Sequence, residues 1–127
     1  MFYTIEKINH SKQRYETPGD YSTDDNNHTS ILVSEMGRPD SEFAIAIHEL
    51  VESYLCRRDG VSDAEIDDFD VNFSKRSDAS KYDEPGDCPD APYHSQHKIA
   101  LEIEKTFIKE IGDEWSRHND HVLRFSQ

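Results

Sequence analysis

Three ionisable side chains stand close together in an otherwise apolar run. In Ala44-Ile45-Ala46-Ile47-His48-Glu49-Leu50-Val51-Glu52-Ser53-Tyr54-Leu55, the intruders are His48, Glu49 and Glu52. The run reads as a helix that is apolar nearly all the way round, and such a helix is buried. Buried ionisable groups are costly unless something satisfies them. His48 and Glu52 are four apart, so they share a face one turn from each other. His-Glu-x-x-Glu is a variant of the His-Glu-x-x-His helix, with a carboxylate as second metal ligand. Random placement of 7 His and 12 Glu in 127 positions produces it in roughly 6% of such chains.

A hydrolytic zinc site needs three protein ligands and an open position for water. His97, near the start of a later helix, is the expected third ligand. His94, three residues earlier, could replace or join it. Glu49 lies just off the ligand face, where it would act as general base toward a metal-bound water. Glu104 is two turns beyond His97 on the same face and could orient a ligand from behind. Asp70 is a further candidate for supporting the site. A His₂Glu set takes Zn²⁺ first, and also accepts Mn²⁺, Ni²⁺ or Fe²⁺. His10, His28, His118 and His121 sit in polar stretches and read as surface residues.

The elements that must position these groups follow from local signals. Phe2 to Ile8 reads as a strand, as does Thr29 to Met36 around Ile31-Leu32-Val33. Asn9 to Asn27 is polar, with a turn at Pro18-Gly19-Asp20. A first helix is expected from about Ser41 to Arg58, capped by Asp40 and stopped near Gly60. Ser62 and Glu65 form a capping-box signature for a second helix with Ile66, Phe69 and Phe73 as its stripe. Asp67, Asp68 and Asp70 read as its solvated face. Ser77 to Pro92 is a loop, and a loop of that length in a compact domain usually carries function. A third helix runs from near Tyr93 to before Gly112. It has Ala100, Ile103, Phe107 and Ile111 on one side and His97, Leu101, Glu104 and Ile108 on the adjoining one. The tail contains Trp115, Val122, Leu123 and Phe125, so part of it packs down. The expected fold is a single α+β domain, residues 1–127. Two or three N-terminal strands pack on three helices in a minimal zincin-like arrangement.

Composition excludes some partners. With 34% apolar and 32% charged residues the core is small. A net charge of −13 repels nucleic-acid backbones and anionic membranes. No apolar signal segment or spanning run is present. Cys56 and Cys88 stand outside any Cys-x-x-Cys pair and read as reduced thiols. The expected setting is the cytoplasm.

One competing reading uses carboxylates alone. Glu49-x-x-Glu52, then twelve residues, then Glu65-x-x-Asp68 is similar to the Mg²⁺ site of MazG-like nucleotide pyrophosphatases. That fold is all-α and gives His48 and His97 no role. Another reading is a non-catalytic metal-binding or interaction protein.

The ordered set Ala46-Ile47-His48-Glu49-Leu50-Val51-Glu52, Phe69-Asp70, Glu84-Pro85-Gly86-Asp87, Ala91-Pro92-Tyr93 and His97 resembles a group of small uncharacterised proteins of bacteriophages and bacterial prophages. His10, Gln13-Arg14-Tyr15 and Gly19-Asp20 extend the resemblance over nearly the whole chain. It implies a phage-encoded protein of the host cytoplasm, with a zincin-like helix and His97 rather than His94 as third ligand. The departure from zincins is Glu52 in place of the second motif histidine. The function that follows is zinc-dependent hydrolysis, with a peptide or protein as the expected substrate.

Overall fold

A computed structural model describes residues 1–126. The chain is α+β: one three-stranded sheet and four α-helices, with short 3₁₀ turns between them. The strands are β1 (Phe2–Ile8), β2 (Gly19–Thr23) and β3 (His28–Ser34), in the order β1-β3-β2. β1 runs parallel to β3, and β2 runs antiparallel to it. β2 lies in the stretch expected to be polar and irregular. Its one large apolar residue is Tyr21, which is buried. The β2–β3 turn is closed by Asp24, whose carboxylate accepts from the backbone of Asn26 and His28.

α1 spans Pro39–Arg58. It begins at Pro39 rather than at an Asp40 cap. Proline suits the first helical position because its missing N–H would have no partner there, and Asp40 instead stands in the first turn, favourable to the helix dipole. α2 (Asp63–Phe73) opens with the expected capping box between Ser62 and Glu65. α3 spans His94–Glu110, and α4 spans Trp115–Leu123 where only a packed tail was expected.

The core joins Tyr21, Ile31 and Val33 of the sheet to Ile45, Ala46 and Cys56 of α1, with Ile66, Ala91, Tyr93 and Val122 closing it. α1 thus lies between the sheet and α3. Its burial is one-sided, contrary to the all-round apolar reading: Phe43 and Tyr54 are 59% and 51% exposed. On α3, the inward face is His97, Ala100, Glu104 and Ile108, while Ile103 and Ile111 are exposed. Two ionisable residues therefore occupy the buried side of α3 while isoleucines face water. Among the described residues, no helix is long and apolar enough to cross a membrane.

Candidate metal centre

α1 and α3 bring His48, Glu52 and His97 together at the bottom of a cavity of about 480 Å³. All three are buried, and one ligand atom from each lies within 4.8 Å of the others. Glu52 Oε2 accepts hydrogen bonds from His48 Nε2 and from His97 Nδ1, both at 3.0 Å. The second nitrogen of each ring also meets a carboxylate. His48 Nδ1 donates to Glu104 Oε1 at 2.7 Å. His97 Nε2 donates to Asp87 Oδ1 at 2.9 Å, with Glu84 Oε2 at 3.4 Å. Glu52 has its own support: Tyr21 donates to Oε1 at 3.3 Å.

Each candidate ligand is thus held from behind by a partner on another element. This is the arrangement that orients metal-binding imidazoles and raises their basicity. Behind His48 the chain continues. Glu104 Oε2 accepts from His118 Nε2 at 2.5 Å, and His118 Nδ1 lies 2.9 Å from Ser41 Oγ.

The electrostatics follow from burial and these bonds. Burial opposes charge on His48, but Glu104 and Glu52 outweigh it and hold the ring well above the usual histidine range. His97 is likewise opposed by burial and raised to about 10 by Asp87 and Glu52. Burial would raise Glu52, yet the two imidazoles bring it down to about 2. Glu104 is also lowered against its burial, by His118 and His48. Without a metal, the centre is therefore two imidazolium rings pointing protons at one carboxylate oxygen. A divalent cation at that point would replace those two protons with no change in net charge. The chemistry of the donor set fits such an ion.

Glu49 lines the same cavity beside this set. It makes no side-chain hydrogen bond among the described residues, and burial, then repulsion from Glu52, raises its pKa well above the ordinary carboxylate range. Two glycines give the site its room. A Cβ at Gly19 would fall 2.8 Å from Glu49 Oε1, and one at Gly86 would fall 2.6 Å from His97 Cγ.

Other expected residues lie elsewhere. His94 donates to the Gly86 carbonyl at 2.9 Å, which fastens the loop, and it stands outside the His48, Glu52 and His97 cluster. Glu104 does stand behind one imidazole of the cluster, that of His48. Asp70 accepts from Tyr93 at 2.6 Å, and burial raises it to about 6; it lines the cavity without touching the ligands. His118 is fully buried, not a surface residue. Its place was legible in one respect, since His118 shares a helix face with Trp115 and Val122. His10, His28 and His121 are half-buried and bond to Ser34, Thr4 and the Met36 carbonyl, away from the site. Asp87 and Glu84 were missed as partners of His97, although their loop stood out by its length.

The carboxylate set Glu49, Glu52, Glu65 and Asp68 does not assemble. Glu65 is spent on the Ser62 cap, and it and Asp68 are exposed outside the cavity lining. α2 presents Asp63, Asp67 and Asp70 to the cavity instead. β3 is the central strand of the sheet, so it has no free edge to offer an extended substrate. On the β2 edge, Pro18–Ser34 and Asp24–His28 are hydrogen-bonded pairs, so the backbone N–H and C=O groups of Gly19, Tyr21 and Thr23 face away from β3 by alternation. The Gly19 carbonyl is taken by Thr17 and the Thr23 N–H by Asp63.

No protein-family model, curated protein or solved structure matches this chain.

Proposed function

We propose that the chain is a metal-dependent hydrolase, with Zn²⁺ as the first-choice ion held by His48, Glu52 and His97. The observation that carries this reading is the carboxylate behind each histidine. A buried salt-bridge cluster does not require both imidazoles to turn their remaining nitrogens onto one shared oxygen. When bound, the ion would polarise a water and supply Lewis-acid chemistry. Glu49, which lines the cavity beside this set, would serve as the general base. Tyr21 and Glu104 hold the ligands in place.

The substrate reading is a peptide or other amide, docked in the cavity rather than along a strand edge. Asp20, Asp63, Asp67, Asp70 and Glu84 line the cavity against Arg14 and Lys75. Arg14 is itself bound by Asp20 and Asp67. Such a lining favours neutral or cationic substrates over anionic ones. The motif resemblance to phage proteins is consistent with a small accessory hydrolase in an infected cell.

A second reading has one observation in its favour: Glu49, Glu52, Asp67 and Asp70 all line the cavity. Four carboxylates there could hold Mg²⁺ against a nucleotide. The scarcity of free cations for phosphates weighs against it.

Glu49→Gln separates the possibilities. The hydrolase reading expects the variant to keep its zinc and to lose turnover of a panel of short peptides by ~10²-fold or more. Loss of the metal in Glu49→Gln would make Glu49 a ligand and overturn its role as base. Magnesium-dependent cleavage of nucleoside triphosphates, without zinc, would replace the proposal by the second reading.

A further inference from the structure

Behind the metal centre lies a second line of buried polar groups that the proposed chemistry does not use. Ser41 and His118 are fully buried and Glu104 is 3% exposed. They come from three helices, α1, α4 and α3. The line starts and ends on α1, because Glu104 also meets His48, seven residues from Ser41 on the same helix face. Hydroxyl, imidazole and carboxylate in this order have the arrangement of a nucleophile triad. Ser41, however, is sealed from solvent and lines no part of the cavity, so no substrate meets it.

Proton accounting gives the line a direction. Arg38 Nη1 donates to Ser41 Oγ at 3.3 Å, and Arg38 is itself held by Asp113 at 2.6 Å. A guanidinium only donates, so Ser41 accepts there. The Ser41 hydroxyl proton then needs an acceptor. Ser53 and Ser74 turn theirs onto the carbonyl three residues back. Ser41 makes no such bond, and among the described residues the acceptor within reach is His118 Nδ1 at 2.9 Å. If Nδ1 carried a proton of its own, the hydroxyl proton would be stranded in a buried site. His118 is therefore the neutral ring with its hydrogen on Nε2, which donates to Glu104 Oε2.

The state of Glu104 follows. Each of its oxygens accepts an N–H, one from His118 and one from His48. Two such donors favour the ionised carboxylate. Because His118 is neutral, it leaves the negative charge of Glu104 to His48. That holds the hydrogen of His48 on Nδ1 and leaves Nε2 for an ion. A cationic His118 would instead neutralise Glu104 and weaken this hold.

We infer that His118, set in this tautomer by Ser41, is a positioning residue for the metal centre: it keeps Glu104 an ionised acceptor and so turns Nε2 of His48 to the ion. The inference rests on the metal reading proposed above. No residue of α4 lines the cavity, yet that helix reaches the centre through this one side chain.

Nitrogen-15 NMR of the imidazole rings at pH 7, on the full chain metal-free and zinc-loaded, reads the tautomer. His118 should be neutral with its hydrogen on Nε2 in both states. A doubly protonated ring, or hydrogen on Nδ1 alone, overturns the inference. Zinc competition tests the consequence. His118→Leu removes the donor and should weaken zinc by at least about tenfold, as loss of an outer partner does. His118→Gln can still accept from Ser41 and donate to Glu104, and it should bind zinc nearly as the parent does. Zinc binding unchanged in His118→Leu, or weakened equally in both variants, overturns the inference. Circular dichroism reports whether each variant is folded, and the NMR reading needs neither. A parent that takes up no zinc overturns the metal reading and the inference with it. Zinc bound beside a doubly protonated His118 overturns the inference alone.

Discussion

Replacing Gly86 by alanine perturbs the metal centre without touching any candidate ligand. The new Cβ would stand 2.6 Å from His97 Cγ, 2.8 Å from His97 Nδ1 and 2.8 Å from Tyr93 Cε2. Carbon atoms settle at about 3.5 Å or more, so something must move by close to 1 Å. Neither neighbour yields easily. The His97 ring is fixed at both nitrogens, by Glu52 at 3.0 Å and Asp87 at 2.9 Å. Tyr93 is held by its 2.6 Å bond to Asp70. Gly86 is not among the glycines with positive φ, so alanine adds no backbone strain and the effect is steric. Overpacking of this kind costs ~1–3 kcal/mol, which lowers Tm by several degrees. Displacing a ligand ring should also weaken zinc by at least about tenfold, as loss of an outer partner does. The assay is zinc competition against a chelating indicator, with thermal unfolding of metal-free protein alongside. Gly112→Ala is the control, because open space surrounds that position and its φ of +80° makes the cost one of backbone strain. If Gly86→Ala binds zinc as tightly as the parent and unfolds at the same temperature, His97 is not held where its burial and bonds imply.

Glu104→Ala should destabilise the chain by ~3–5 kcal/mol, because it strands both His48 and His118 in the interior; chemical denaturation checks this, and a loss under ~1 kcal/mol would contradict it. The pH dependence of the metal-free protein follows from His97. Its folded pKa of about 10 lies above the ordinary 6.5, so its stabilising charge is fully present below pH 6.5 and lost as pH rises toward 10. Metal-free Tm should fall over that window, and zinc should remove the fall by taking the protons' place. Calorimetric zinc titration at pH 7 in buffers of different ionisation enthalpy should accordingly show about two protons released per ion. Ser62→Ala should cost about 1 kcal/mol by opening the α2 cap while leaving zinc affinity unchanged.

The sequence carried the cluster of His48, Glu52 and His97 further than it carried the elements around it. His48 and Glu52 are fixed by helical periodicity, and His97 needed only a second helix packed on the first. Glu104 followed from the same spacing, but which histidine it serves depends on how α1 and α3 cross. His118 was hidden because its neighbours in sequence, Arg117, Asn119 and Asp120, are polar; its burial is decided by Ser41 and Glu104, 77 and 14 positions away. β2 was hidden for a related reason. Five residues with one large hydrophobe carry too little alternation to signal a strand, and pairing with β3 creates it. On α3 a buried polar network shares the inner positions with Ala100 and Ile108, while Ile99 and Ile103 line the outer surface.

Metal content of the purified chain, produced without a histidine tag and compared with His48→Ala and His97→Ala, bears most directly on the centre. About one equivalent of zinc per chain in the parent, absent from both variants, is the expected result. A parent protein with no transition metal, and with no zinc taken up at micromolar concentration, would mean that the two imidazoles and Glu52 are a buried ion-pair network and nothing more.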